Sequence, residues 1–342
     1  MPEVSVVMPV YNGEKYLQLA LDSLFSQDFT DFQIIAVDDG STDNTAKILA
    51  DNAKKDKRLK VVTVSPNKGL PNALNTGLEN ATGKYVARMD CDDISLPKRF
   101  STQVKFLEAH PEIDLVAAFI EMFRDNEILG VHIVPTDPEV IKAAMLFTNP
   151  VAHPTVMIRK EFLDKHNLKY ANQNVEDYEF WNRISNLGRI ANIPEPLVKY
   201  RIHTSQFSST HNVKQEAADL AIKQSITKRL GFEFSEDQWQ LFRRIFTYGD
   251  VYNELGKVRQ FKDILNAIWE GNLQNGWVKP AALQTYCAPF WFKQLRMNIP
   301  GGLGTLKLQW QNKMFRSYLS KESLSIYKQL VKQTCKNLLR RN

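Results

Sequence analysis

Four β-prone runs separated by single helical repeats fill residues 4–87 and leave this chain few architectures to choose from. Residues 4–11, Val-Ser-Val-Val-Met-Pro-Val-Tyr, are almost continuously apolar rather than alternating, as in a strand covered on both faces. Asn12-Gly13 breaks the run, and residues 14–27 then place Leu17, Leu21, Leu24 and Phe25 on one helical face. Residues 32–37 give a second strand that stops at Asp38-Asp39-Gly40-Ser41. Asp43 or Ser41 can cap the next helix, which carries Ala46, Ile48, Leu49 and Ala53. Residues 59–64 form a third strand. After Asn67-Lys-Gly69 comes a helix with Pro71 in its first turn and Ala73, Leu74 and Leu78 inward. Tyr85-Val86-Ala87 is the fourth strand, and the β-α-β-α-β-α-β order predicts a parallel α/β sheet.

Open sheets of this kind bind ligands beyond the carboxyl ends of their strands. The polar clusters Tyr11-Asn12, Asp38-Asp39, Asn67 and 90–93 fall at those ends. The predicted rim carries carboxylates and has no Gly-rich phosphate cradle, which disfavours a Rossmann dinucleotide site or a P-loop. Asp90, Asp92 and Asp93, three carboxylates within four positions, repel one another unless something cationic neutralises them. Mg²⁺ suits such a cluster because it takes one or two carboxylates together with substrate phosphates. The alternative is a solvated acidic turn, since Ile94-Ser95-Leu96-Pro97 also reads as the start of a helix.

Further along, residues 97–110 form a helix with Phe100, Val104 and Leu107 inward. Strands are predicted over 115–123 and 131–134 with a turn at Asp125-Asn126, and over 153–159, followed by a helical turn at 160–166. Glu176 begins a helix with Phe180, Ile184 and Leu187 on its inner face, stopped by Gly188; residues 197–201 are the last strand. From residue 209 onward helical periodicity with frequent Leu, Phe and Trp replaces the strand signals.

Charge follows the same division. Residues 281–342 hold eleven Lys/Arg against the single acid Glu322, whereas residues 1–280 hold 33 Lys/Arg against 37 Asp/Glu. A basic tail on a near-neutral body points to an anionic surface, membrane or nucleic acid, as partner. Residues 281–296 join aromatics to basic residues, and residues 320–341 interleave Leu324, Tyr327, Leu330, Val331, Leu338 and Leu339 with Lys and Arg. Such helices lie on membranes or pack an apolar face on the body of the protein. No run of about 18 apolar residues predicts a membrane span. The N-terminus lacks the segments of a secretory signal, and three scattered cysteines fit neither a disulfide framework nor a zinc site. A reducing, cytoplasmic setting is expected, peripheral to the inner membrane face if the tail binds lipid.

The set Pro9-Val-Tyr-Asn12, Val37-Asp-Asp-Gly-Ser-Thr-Asp43, Asn67-Lys-Gly-Leu70, Gly83-Lys-Tyr-Val-Ala-Arg-Met-Asp-Cys-Asp-Asp93, His153-Pro154 and Glu176-Asp177 resembles the family 2 glycosyltransferases in motif order from residue 4 to about 205. The resemblance implies a GT-A fold. This is a central, mostly parallel sheet flanked by helices, with a Rossmann-like nucleotide-sugar half over 1–93 and an acceptor-side half over 94–208. Residues 209–342 then form a basic α-helical extension about which the resemblance says little.

It also implies roles. Asp92, with Asp90 nearer the ribose, would hold a Mn²⁺ or Mg²⁺ that bridges the donor diphosphate. Asp39 would read the base, or cap the following helix, or both. Pro9, Tyr11 and Glu14 would line the base and ribose pocket, with Asn67 and Arg88 on the same rim. Asp177 matches the base that takes the acceptor's proton in an inverting transfer; without the other motifs it would read as helix N-terminal charge. His203 stands where related enzymes place a metal ligand or diphosphate contact. His153 and Glu176 fall on the acceptor side, Trp181 reads as core rather than a sugar platform, and Cys91 fills the variable position of the D-x-D. The activity implied is transfer of a hexose or N-acetylhexosamine from a UDP-sugar to a glycan or lipid-linked oligosaccharide in surface polysaccharide or lipooligosaccharide assembly. A nucleotidyltransferase and a nucleic-acid-binding protein using the basic tail are the rival readings; no nucleic acid is expected as a partner.

Overall fold

The computed structural model describes residues 1–125, 127–171, 174–203, 213–318 and 321–339. They form two compact units, Met1–Ile141 with Asn149–Asp219, and Lys142–Thr148 with Leu220–Asn342. The boundary expected at 208/209 lies outside the described residues.

In the first unit the expected alternation is present: β1 (Val4–Val10), α1 (Leu17–Phe25), β2 (Phe32–Asp38), α2 (Thr45–Lys55), β3 (Leu59–Thr63), α3 (Leu70–Asn80) and β4 (Tyr85–Arg88). Then come β5 (Ile94–Ser95), α4 (Arg99–Ala109), β6 (Leu115–Arg124), β7 (Glu127–His132), α5 (Pro138–Ala144, whose residues from Lys142 on belong to the second unit), β8 (Met157–Arg159), α6 (Lys160–Lys165), α7 (Glu176–Leu187) and β9 (Ile190–Arg201). One nine-stranded sheet runs β3-β2-β1-β4-β8-β6-β9-β5, with β7 on β6. β3, β2, β1 and β4 are mutually parallel. The second half is mixed: β8 is antiparallel to both β4 and β6, whereas β9 runs parallel to β6.

All seven residues of β1 and of β2 are buried, as continuous apolar runs require when helices cover both faces. Leu17, Ala20, Leu21 and Leu24 bury one stripe of α1.

Four local expectations are corrected. Ile94-Ser95 pairs with Lys199 and Val198 of β9 instead of opening a helix, and α4 begins only after Pro97. His153–Thr155 is a 3-10 turn and only Met157–Arg159 is strand, since Pro154 has no N–H to give to a ladder. β7 runs from Glu127 to His132 rather than over 131–134, and Asp125, at φ +51°, stands in the turn before it. β9 extends back to Ile190, because register shifts opposite Phe119 absorb Pro194 and Pro196.

α8 (Val213–Arg229) carries the chain from the first unit into the second. There follow α9 (Glu236–Phe246), α10 (Leu255–Asn275), α11 (Pro280–Met297), α12 (Leu303–Gln311) and α13 (Lys321–Leu339). Ser235 and Gln238 form a reciprocal capping box at the start of α9. The core of this unit is aromatic: Phe147 stacks on Phe242 and on Tyr286 and meets Phe246, and Phe261, Trp291, Phe292 and Phe315 are buried in the same unit. The aromatics of residues 281–296 therefore serve mainly as core: Trp291 and Phe292 are fully buried on the inner face of α11. No described helix is long and apolar enough to cross a membrane.

Candidate active site

Parallel register brings the strand ends together. Val10 of β1 sits beside Asp38 of β2, and Val7 beside Arg88 of β4. Hydrogen bonds stitch the loops beyond. Asn12, at φ +49°, donates its N–H to Ser41 Oγ (3.0 Å) and accepts at Oδ1 from the Thr42 amide (2.9 Å). Glu14 Oε2 accepts from the backbone and side-chain amides of Asn44 at 2.9 and 2.8 Å. Pro9 is buried at the end of β1 and Tyr11 is exposed on the rim.

Asp39 is buried, and its carboxylate accepts from the Lys68 amide at 3.0 Å and the Gly69 amide at 2.8 Å. Asn67 Oδ1 shares the Gly69 N–H at 2.9 Å. Asp39 thus secures the start of α3 and does not cap α2, where Asp43 accepts from the Thr45 amide instead. Gly40 permits this closure: its φ is +74°, and a Cβ there would stand 3.1 Å from the Asn67 nitrogen.

After β4 the acids converge. The buried Arg88 guanidinium forms an ion pair with Asp90, and Arg88 Nε has no partner among the described residues. Burial pushes Asp90 up to about 6; Arg88 opposes the shift and Asp92 adds to it. Asp92 Oδ2 lies 3.0 Å from His203 Nε2, whose ring rests against Tyr16. Asp93 is 1% exposed, and its Oδ1 accepts the Arg201 amide at 2.9 Å, which ties the cluster to the end of β9. Asp93 Oδ2 has no partner among the described residues. Burial, then Asp90 and Asp92, hold the Asp93 carboxyl well above the usual range. One oxygen from each of Asp90, Asp92 and Asp93 falls within 4.8 Å of the other two. Three clustered carboxylates, with Asp93 Oδ2 buried and without a partner among the described residues, suit a divalent cation of the Mg²⁺ or Mn²⁺ kind.

Across the site, α7 begins with Glu176 and Asp177. Asp177 Oδ1 accepts its neighbour Tyr178's amide at 2.7 Å, and Oδ2 accepts Asn149 Nδ2 at 2.9 Å. Burial raises the Asp177 pKa, while the Tyr178 amide, Arg88 and Asn149 restrain the rise. Burial and then Asp177 push Glu176 up to about 7. His153 is buried with Nε2 3.0 Å from the Tyr170 hydroxyl and its ring edge-on to Trp181. Burial, reinforced by Arg88, holds His153 well below its ordinary pKa, so the imidazole is neutral at neutral pH. Trp181 is fully buried, as its place between Phe180 and Ile184 predicts.

The Arg88 charge therefore acts on Asp90, Asp93, His153, Tyr170, Glu176 and Asp177 together. Beneath it lies a second buried cation. Arg99, 0% exposed, donates Nη2 to the Arg88 carbonyl at 2.6 Å and Nε to Gln103 Oε1 at 3.1 Å. Gln103 donates to the Thr155 carbonyl at 2.6 Å. α4 thus clamps the end of β4 to the His153–Thr155 turn. Burial first, and Arg88 second, lower the Arg99 pKa to about 9.

The Glycosyl transferase family 2 profile matches residues 5–167. An uncharacterized glycosyltransferase of Haemophilus influenzae is 37% identical over 233 residues, spanning 65% of this chain and 72% of its own. The chain belongs to glycosyl transferase family 2. The amylovoran biosynthesis glycosyltransferase AmsE of Erwinia amylovora is 32% identical over 242 residues, 70% of this chain and 84% of the relative. Residues 1–349 of S. aureus TarS, solved with UDP-GlcNAc, share the fold at a TM-score of 0.54 and 20% identity, over 98% of this chain and 92% of that one.

For this family 2 glycosyltransferase the structure places Pro9, Tyr11, Glu14, Asp39, Asn67, Arg88, Asp90, Asp92 and His203 along the strand ends, and His153, Glu176 and Asp177 around the same buried cation. Sequence reasoning missed Asn149, Tyr170, Arg99 and Arg201. Asn149 and Tyr170 sit in connecting segments with no periodic signal. Arg99 stands on a helix read only through its apolar face, and Arg201 is read only as the end of the last strand.

Proposed function

We propose that this glycosyltransferase is a metal-dependent, inverting enzyme. It transfers a hexose or N-acetylhexosamine from a UDP-sugar to a glycan or lipid-linked glycan in surface polysaccharide or lipooligosaccharide assembly. The observation that carries the reading is the buried Arg88, which is ion-paired with Asp90 and whose charge also acts on Asp93, Glu176 and Asp177. A diphosphate and a sugar hydroxyl need those two environments side by side. The TarS complex with UDP-GlcNAc supports the uridine donor, and the amylovoran relative supports the polysaccharide product.

In this reading Asp39 and Asn67 face the base, with Pro9, Tyr11 and Glu14 lining the base and ribose pocket. Asp90 and Asp92, with His203 beside Asp92, hold the divalent ion. When bound, that ion supplies Lewis-acid neutralisation of the diphosphate. Arg88 adds a fixed positive charge in a water-poor setting, where it is worth more than in solvent. Asp177 takes the proton of the acceptor hydroxyl as the new C–O bond forms at the anomeric carbon and the bond to the diphosphate oxygen breaks. Asn149 and the Tyr178 amide aim its carboxylate, and neutral His153 with Tyr170 and Glu176 borders the acceptor. We place the enzyme in the cytoplasm, residues 1–208 forming the catalytic domain and 209–342 the basic extension, at the inner membrane face when the acceptor is lipid-linked.

Thermal stabilisation by a panel of nucleotide sugars, with and without Mn²⁺, tests this directly. A UDP-sugar should raise the melting temperature only with the metal, and Asp92→Ala should abolish the shift. Stabilisation by UDP-sugars that ignores both the metal and Asp92 would sink the metal assignment.

A further inference from the structure

α12 and α13 bury one stripe each and leave another in solvent. α12 turns Thr305, Leu308 and Gln309 inward, so Leu303, Lys307 and Trp310 at i, i+4 and i+7 line its outer side. Leu303 is 61% and Trp310 63% exposed, with exposed Lys307 between them in sequence. α13 buries Ser323, Ile326, Leu330 and Thr334, which leaves Leu324, Lys328, Val331, Lys332 and Lys336 outside. Gln309 Nε2 donates to the Tyr327 hydroxyl at 2.8 Å, and Asn337 Nδ2 to the Pro300 carbonyl at 3.2 Å. These bonds hold the two helices antiparallel and side by side. Both pack their inner stripes on the α10–α11 layer, where Trp291 Nε1 donates to Gln309 Oε1 at 2.6 Å. The outer stripes therefore share one surface, which carries Lys307, Lys328, Lys332 and Lys336.

We infer that this α12–α13 surface seats the protein on an anionic lipid bilayer, with the Trp310 and Leu303 side chains in the interface and Lys307, Lys328, Lys332 and Lys336 against the headgroups. The inference rests on the peripheral location proposed above and names the face responsible. Charge complementarity favours lipid phosphates, and the apolar residues favour a bilayer over a nucleic acid. An indole and leucines standing among lysines match the interfacial region, where an aromatic ring sits at headgroup depth and lysine stems extend to the phosphates. A nucleic acid would use the lysines and leave Leu303, Leu324 and Val331 without a role. Neither helix spans a membrane, so both lie in its plane.

Flotation of the full-length protein with phosphatidylcholine vesicles, with and without phosphatidylglycerol, tests the inference. The wild type should float with the anionic vesicles only, and added salt should weaken the association. Combining Lys328→Gln, Lys332→Gln and Lys336→Gln should weaken partitioning on the order of 100-fold, and Leu303→Ser with Trp310→Ser should also release the protein. These side chains are exposed, so unchanged circular dichroism verifies that the variants fold. Failure of the wild type to bind anionic vesicles overturns both this surface and the peripheral location. Wild-type binding that both sets of variants retain overturns the surface alone. Tighter binding to single-stranded RNA, in competition with the vesicles, overturns it in favour of a nucleic-acid partner.

Discussion

Arg88, Asp93, Arg99 and Glu176 of the first unit are charged side chains almost withdrawn from water, whereas Lys307, Lys328, Lys332 and Lys336 of the second stand in it. Burial makes each charge of the first group count individually. Asp90 and Glu176 rise to about 6 and about 7, and Arg99 falls to about 9. Such groups cannot be solvated, so they are fixed by neighbours and arranged before a ligand arrives. The exposed lysines are each weak, and they act only as a summed field that salt screens. A single substitution should therefore be severe in the first group and slight in the second, where several must be changed together.

Asp177→Asn should break the first side of this contrast most strongly. Turnover should fall on the order of 10²–10⁴-fold, the range for loss of a general base, as measured by UDP release with acceptor present. Arg99→Met should come next. It leaves the Arg88 carbonyl and the Gln103 oxygen without their donor, and the urea midpoint should shift by an amount worth about 3 kcal/mol. A single Lys328→Gln on the outer surface should leave that midpoint unmoved.

Asn149→Ala should have the smallest effect of the three, about tenfold in turnover for loss of one hydrogen bond to a charged group. Its diagnostic is the pH profile. The Asn149 amide stabilises the ionised form of Asp177, so removing it raises the Asp177 pKa further. The acid limb of the activity profile should move to higher pH, with the alkaline limb unchanged. A uniform loss at all pH values would make Asn149 a packing residue only.

The parallel half was legible because its physics is local. β1 and β2 are buried on both faces and so read as unbroken apolar runs, and the helices between them show one apolar stripe each. The mixed half was not, because pairing there depends on distant partners. β5 exists only through β9, and β9 crosses two prolines that a local reading takes as breaks. The acids were conspicuous at their strand ends, yet what holds them was not. Asn149 reaches Asp177 across 28 residues and Arg201 reaches Asp93 across 108. The basic tail was legible in charge but not in facing. Its most conspicuous aromatics, on α11, point mainly into the core, and the exposed indole is Trp310 of α12, outside both segments singled out by composition.

The central claim is that binding and proton transfer belong to separate acids around one buried arginine. Calorimetric titration of a UDP-sugar, with Mn²⁺ present, into the wild type, Asp92→Ala and Asp177→Asn tests it most directly. The account predicts that Asp177→Asn, though inactive in transfer, binds the donor as the wild type does, while Asp92→Ala does not. Loss of donor affinity in Asp177→Asn as complete as in Asp92→Ala would contradict it.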